Sequence, residues 1–230
     1  MSGTFIQNLL QAFVFALPNT LIVTIIPMLA GAVFGILLAI CRIYKLPVFG
    51  KLADIYVAIV RGIPLYVLIF ITYYGIPKIV NSLVYHGETV YTVYSVSGMA
   101  VALITYIGYA SAYLSEIFRG AILAVDKGQW EAGTAFGMSH TQTFFRIIFP
   151  QAVVTALPNY SNFFVGMLKQ SALVFCIAIK DLMGAAKVYA ETTYKFIGTY
   201  LILALVYIVL GYLFIYLFRG IENKVRIKET

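Results

Sequence analysis

No charged side chain occurs before Arg42. The stretch from Leu17 to Ile40 is an apolar run long enough to cross a bilayer, since about twenty such residues span the hydrocarbon core. Runs of this kind recur along the chain and leave few folds open. A spanning segment must satisfy its own backbone, so the expected architecture is an all-α integral membrane protein. Composition agrees: 62% of the 230 residues are hydrophobic and 11% are charged, whereas soluble domains are nearer half and a quarter. The net charge of +7 then reads as cytoplasmic anchoring of membrane helices and not as nucleic-acid binding.

Five spans are expected: Leu17–Ile40, Ile55–Tyr74, Val96–Ser115, Ala152–Ile179 and Phe196–Phe218. Gly31 and Gly35 form a small-xxx-small pair in the first, a pattern that lets another helix approach closely and that chance also produces. Pro64 predicts a kink early in the second. Arg61 beside it must snorkel or find a partner. Gly75–Ser95 and Asp181–Lys195 read as loops, the latter weakly amphipathic. The uncharged start, with no basic residue or small-residue cleavage site, reads as a mature N-terminus.

Basic residues set the orientation. Arg42, Lys45, Lys51, Arg119, Lys127, Arg146, Arg219, Lys224, Arg226 and Lys228 fall in one set of loops; Lys78, Lys180, Lys187 and Lys195 fall in the other. Ten against four puts the 116–151 segment and the C-terminus in the cytoplasm, and five spans put the N-terminus outside. The whole of 1–230 reads as one membrane domain.

The 116–151 segment is a polar, helix-forming island between apolar runs. Asp126 can cap a helix that Gly137 ends in a left-handed turn. Ser139 can cap a second, with Gln142 at the third position, and Pro150 stops it or starts the next element. Two short helices outside the membrane are therefore expected, within a loop of about 124–150. Glu116 and Arg119 are three apart and can pair on one face.

Glu131-Ala132-Gly133, then Gly137, then Phe149-Pro150 resembles the EAA loop of ABC-importer permeases, usually Glu-Ala-Ala, a later Gly and Leu-Pro. Ser115-Glu116-Ile117-Phe118-Arg119-Gly120 and Arg61-Gly62-Ile63-Pro64 resemble runs of the polar amino-acid permeases of the histidine/glutamine type. Gly133, Phe149 and Ile63 depart from the common pattern, and Gly133 is expected to loosen the first short helix. The resemblance implies the type I ABC-importer permease fold with cytoplasmic coupling helices. It implies that Glu131, Ala132, Gly133, Gly137, Trp130, Phe136 and Met138 form the coupling element, with Glu131 contacting an ATPase subunit and the three large apolar residues supplying an anchor. It further implies two ATP-binding subunits, an extracytoplasmic solute-binding protein and a second permease copy, all at the cell membrane. ATP and Mg belong to the ATPase partners, and this chain carries no cofactor.

No G-x-x-x-x-G-K-[ST] loop is present. With only His86 and His140 there is no metal cluster and no His-based triad. Cys41 and Cys176 have no metal spacing, and their expected places at opposite membrane ends exclude a disulfide. The spans hold no paired carboxylates of the kind proton relays use. A transporter read from this chain is not an enzyme itself and takes its energy from a partner. The rivals are an ATPase-independent channel or ion-coupled carrier, and a membrane scaffold or sensor. The first leaves the capped island without a purpose; the second predicts ATPase binding without net substrate movement.

Lys169 is the sharpest residue outside the island, because a Lys deep in an apolar span costs about 3 kcal/mol. Leu168-Lys169-Gln170-Ser171-Ala172-Leu173 resembles the Leu-Lys-Asp-Thr-Ser-Leu stretch of amino-acid permeases. Three fates are open for Lys169: contact with a substrate carboxylate, pairing with Glu116, Asp54 or another subunit, or snorkelling. Gln170, Ser171, Tyr109 and Asn162 are the further pathway candidates. The resemblance implies a polar amino acid as substrate. No acidic group sits deep in the expected spans, which favours a neutral one such as glutamine or cystine.

Overall fold

A computed structural model describes residues 3–92 and 95–226. Lys228, one of the basic residues counted above, and residues 93 and 94 of the expected outer loop lie outside that range. Nine α-helices occur among the described residues: α1 (Gly3–Ile43), α2 (Phe49–Gly62), α3 (Leu65–Val84), α4 (Gly98–Leu123), α5 (Lys127–Ala135), α6 (His140–Thr143), α7 (Phe149–Gln170), α8 (Leu182–Thr193) and α9 (Phe196–Arg226). The all-α membrane architecture is as expected. Helices α1, α3, α4 and α9 are each long and apolar enough to span, and a bent combination of α6–α7 with α8 makes a fifth.

The centre of the bundle is α4, packed along α1. A Cβ at Gly31 would lie 2.7 Å from Ala110 Cβ, and one at Gly35 would lie 3.0 Å from Leu114 Cβ. Small residues therefore let the two backbones touch. In lipid this close packing matters more than it does in water, because helix association there gains little from the hydrophobic effect. Val23, Met28, Ile69, Tyr106, Leu114 and Met167 fill the space between α1, α3, α4 and α7. The outer face of α9 is apolar, with Leu201, Leu205 and Val209 exposed, as a lipid-facing helix requires.

Several boundaries differ from the expected ones. The span Ile55–Tyr74 is not a single helix. It breaks at Ile63, which is extended at φ −103° and ψ 131°, ahead of Pro64. Proline has no N–H to donate and its ring disfavours helix at the preceding residue. The spanning helix is α3, which runs to Val84 through residues expected to form a loop. Pro77 lies inside it. At its far end the Asn81 side chain accepts from Tyr91 N at 2.8 Å and donates to Tyr91 O at 2.7 Å, tying down the following loop.

The span Ala152–Ile179 keeps α-helical form only to Gln170. It continues as a 3₁₀ segment, Ser171–Ile177, and ends at Ala178 with φ +62°. The expected loop Asp181–Lys195 is helix α8. The buried Asp181 carboxylate accepts from Gly184 N at 2.8 Å and Met183 N at 3.2 Å, which caps it. Helix α8 runs antiparallel to the start of α1: Leu182 N donates to Thr20 Oγ1 at 3.1 Å, and Tyr189 OH donates to Phe5 O at 3.0 Å.

Candidate coupling and translocation site

The island is built as its capping residues dictate. Asp126 Oδ1 accepts from Gly128 N at 2.6 Å and starts α5. At the other end Met138 N donates to Gly133 O and Gly137 N to Thr134 O, both at 3.0 Å. With Gly137 at φ +73°, this is a Schellman C-cap, a conformation glycine adopts without Cβ strain. Ser139 and Gln142 form the full capping box. The second helix differs from expectation: its single turn, α6, runs through a π-helical turn (Phe144–Ile148) directly into α7. One short helix, α5, therefore stands between two long ones.

Helix α5 is fastened to the bundle. Trp130 packs on His140 and Phe144, with ring centroids 5.4 and 6.3 Å apart. Beneath them Ile122, Val125, Phe144 and Ile148 form a core that joins the end of α4 to the start of α7. Gly133 is the buried residue of α5. A Cβ there would stand 2.5 Å from Thr143 Cγ2 and 2.6 Å from its Oγ1. The departure from Ala at this position is thus a packing requirement, and Thr143 occupies the room a methyl would need. Glu131, Ala132 and Phe136 face away from the bundle, with Phe136 87% exposed. Met138 is half-buried. Of the three expected anchor residues, Trp130 belongs to the chain's own core and Phe136 is the outward one.

Glu116 and Arg119 pair as expected, Oε2 to Nη2 at 3.0 Å. The same carboxylate also takes Arg42 Nη2 at 2.8 Å and Arg61 Nη1 at 3.3 Å. Arg42 in turn holds Asp54 at 2.6 Å. One carboxylate thus ties together α1, the α2–α3 junction and α4. Arg42 and Arg61 were missed as its partners because they come from distant parts of the chain. The signal was an Arg inside an expected span with no neighbour to neutralise it. Arg61 also lies over the Tyr113 ring, 5.3 Å from its centroid.

The pathway candidates do not converge on one point. Tyr109 is buried, with its ring tilted against Tyr113 at 4.5 Å and stacked on Phe163 at 6.3 Å between centroids. Ser171 is buried and donates to Leu168 O at 2.7 Å. Gln170 accepts Tyr106 OH on its backbone oxygen at 2.7 Å, while its side-chain Oε1 is buried without a partner. Lys169 and Asn162 are exposed on another face of α7. Of the three fates open to Lys169, pairing with Glu116 or Asp54 is not the one seen: Arg42 of α1, Arg61 of α2 and Arg119 of α4 hold those carboxylates. Both cysteines are free thiols. Among the described residues no three His, Cys, Asp or Glu side chains come together as a metal site.

A sequence profile of the binding-protein-dependent transport system inner membrane component matches residues 31–227. The chain belongs to this family. The permease is 33% identical over 234 residues to the L-cystine transport system permease protein TcyL of Bacillus subtilis (strain 168), covering 100% of this chain and 95% of that one. It is 28% identical over 207 residues to the arginine transport system permease protein ArtQ of the same organism, covering 90% and 89%. Among solved structures, a crystal structure of an amino acid ABC transporter with histidines superposes at a TM-score of 0.82. That match has 28% identity and covers 97% of this chain and 99% of that one. The permease is therefore a multi-pass membrane subunit of an amino-acid ABC importer with the type I fold.

Proposed function

We propose that the permease forms, with a second copy, the membrane pathway of an ATP-driven importer for a neutral polar amino acid of the cystine or glutamine kind. Two ATP-binding subunits dock on α5 and carry the ATP and Mg; the permease holds no cofactor and catalyses no covalent step. A solute-binding protein delivers substrate on the outside, where the N-terminus lies, and the C-terminus is cytoplasmic. ATP binding closes the ATPases and moves both α5 helices, and the pathway turns from inward- to outward-facing. This is a two-state shift, and ATP must bind the outward state more tightly to drive it.

One observation carries the reading. Helix α5 presents Glu131, Ala132 and Phe136 outward, yet it is capped at both ends and joined by Trp130 to the core beneath α4 and α7. A rigid lever transmits a push with little slack, whereas an unattached surface helix would absorb it. Ion coupling without an ATPase gives this construction no role. The L-cystine relative supports a neutral substrate. So does Asp181, whose buried carboxylate is already engaged by two backbone amides.

The test is uptake into proteoliposomes holding the permease and its ATPase, with ATP inside and the binding protein outside. ATP-dependent uptake of cystine or glutamine is expected. Uptake of arginine alone would overturn the substrate reading, and uptake unaffected by ATP would overturn the importer mechanism.

A further inference from the structure

The turn between α1 and α2 carries positive charge that the fold leaves unpaired. Lys45 and Lys51 are exposed, and among the described residues neither side chain makes a hydrogen bond or an ion pair. Asp54, three residues from Lys51, is already taken by Arg42 at 2.6 Å. The turn itself is fixed. Leu46 N donates to Cys41 O at 3.1 Å and Gly50 N to Leu46 O at 2.8 Å, and a Cβ at Gly50 would lie 3.0 Å from Cys41 O. It belongs to the end of the bundle from which α5 projects, because Arg42 and Arg61 both reach Glu116 in the last turns of α4.

A groove of about 510 Å³ opens between α1, α2 and α4. Phe34, Leu37 and Leu38 of α1 and Ile104 and Ile107 of α4 give it walls of hydrocarbon. Its polar groups satisfy one another: Tyr56 OH and Ser111 Oγ both donate to Gly108 O at 2.8 Å. The wall therefore offers an occupant neither a charge nor a free hydrogen bond. A polar solute would lose its hydration there for nothing, whereas an alkyl chain has none to lose. Along α4 the lining runs from Ser111 to Ile104, about 10 Å from the α5 end towards the middle of the membrane. On the other two helices the wall leads back to a lysine: Lys45 lies just beyond the last turn of α1, and Lys51 lies in the first turn of α2.

We infer that this groove is a binding site for an anionic phospholipid of the leaflet on the α5 side. One acyl chain lies along Phe34, Leu38 and Ile107, and the phosphate and its headgroup sit against Lys45 and Lys51. Apolar burial and attraction to anionic headgroups add in such a site. A neutral phospholipid fills the groove equally well but brings no net negative charge to the two lysines, so headgroup charge is what the site selects. The bound lipid braces α1, α2 and α4, the same helices that the Glu116 carboxylate joins at their ends. Such a site requires neither an ATPase nor a cargo.

The test puts the photoreactive residue benzoylphenylalanine in place of Phe34 in the full-length permease. Nanodiscs hold equal parts of phosphatidylglycerol and phosphatidylcholine, with one or the other radiolabelled. A second chain carries the same residue in place of Leu201, on the exposed outer face of α9, as the reference for ordinary lipid contact. At position 34 phosphatidylglycerol is expected to crosslink about fivefold more than phosphatidylcholine, the effect of one Lys at an anionic surface; at position 201 the two are expected to crosslink equally. Lys45→Gln with Lys51→Gln brings position 34 to parity, and Lys45→Arg with Lys51→Arg keeps the preference. Salt at about 1 M, where the Debye length is about 3 Å, brings it to parity with both lysines in place, and this serves if the Gln pair does not fold. Equal crosslinking of the two lipids at position 34, or a preference as large at position 201, overturns the site. So does a preference that survives the Gln pair or the salt. Crosslinking of position 34 to a second copy of the permease in place of lipid overturns it by showing protein as the cover.

Discussion

Gly133 stands where a methyl group meets Thr143 at 2.5 Å. Thr143 cannot easily turn away, since its Oγ1 donates to Ser139 O at 3.1 Å and its branched Cβ is stiff. Gly133→Ala gains up to about 1 kcal/mol in helix propensity, but overpacking costs about 1–3 kcal/mol. With a stiff neighbour the cost prevails. Thermal unfolding of the purified complex is expected to fall in Gly133→Ala and to recover in Gly133→Ala with Thr143→Ala; two independent, additive losses would contradict the contact. Sequence showed the glycine and its propensity cost but not its neighbour Thr143, whose contact only the fold supplies. Glu116 was legible in the same partial way. Its partner Arg119 is three residues off, whereas Arg42 reaches it only through the fold. Arg42 is 11% exposed, so Glu116→Gln leaves a nearly buried cation short of a counter-charge. A loss of about 2 kcal/mol is expected, below the 3–5 typical of fully buried pairs because Asp54 still holds Arg42. A Glu116→Gln complex as heat-stable as wild type would contradict this.

Helix ends set by capping side chains were readable, and helix ends set by packing were not. Asp126, Gly137, Ser139 and Gln142 act where their types predicted, because a cap is a contact between near neighbours in sequence. Pro64 announced a break, but not that it divides a short helix from a spanning one. The polar Asp181–Lys195 stretch looked like a loop because its apolar partners, Phe5, Leu9 and Phe13 of α1, lie far away in sequence. Two predictions belong to this scale. Gly137→Ala forces a Cβ into φ +73°, at about 1–2 kcal/mol; binding of the ATPase, measured on immobilised nanodiscs, is expected to weaken several-fold, with Gly137→Asn affected less. Gly31→Val drives a side chain into Ala110 across the α1–α4 contact, and the yield of monodisperse protein is expected to collapse, whereas Gly166→Ala meets nothing within 4 Å and is expected to be tolerated.

Close helix contacts hold the bundle; in the proposed function, Lys and Arg fix its orientation and α5 transmits work from outside the membrane. Orientation predicts that a Cys at position 136 reacts with an impermeant maleimide only in inside-out vesicles, and one at position 88 only in right-side-out ones. The reverse pattern would invert the topology. The central claim is that α5 couples the pathway to an ATPase through its outward face. It is tested most directly by ATP hydrolysis of the full complex in nanodiscs, with loaded binding protein added to wild type and to Glu131→Arg. The account predicts strong stimulation in the wild type. In Glu131→Arg it predicts loss of that stimulation and at least a tenfold weaker hold on the ATPase, about 1.4 kcal/mol, with the permease itself unchanged in thermal stability, because Glu131 is exposed and outside the core. Full stimulation and unchanged ATPase association in Glu131→Arg would contradict it.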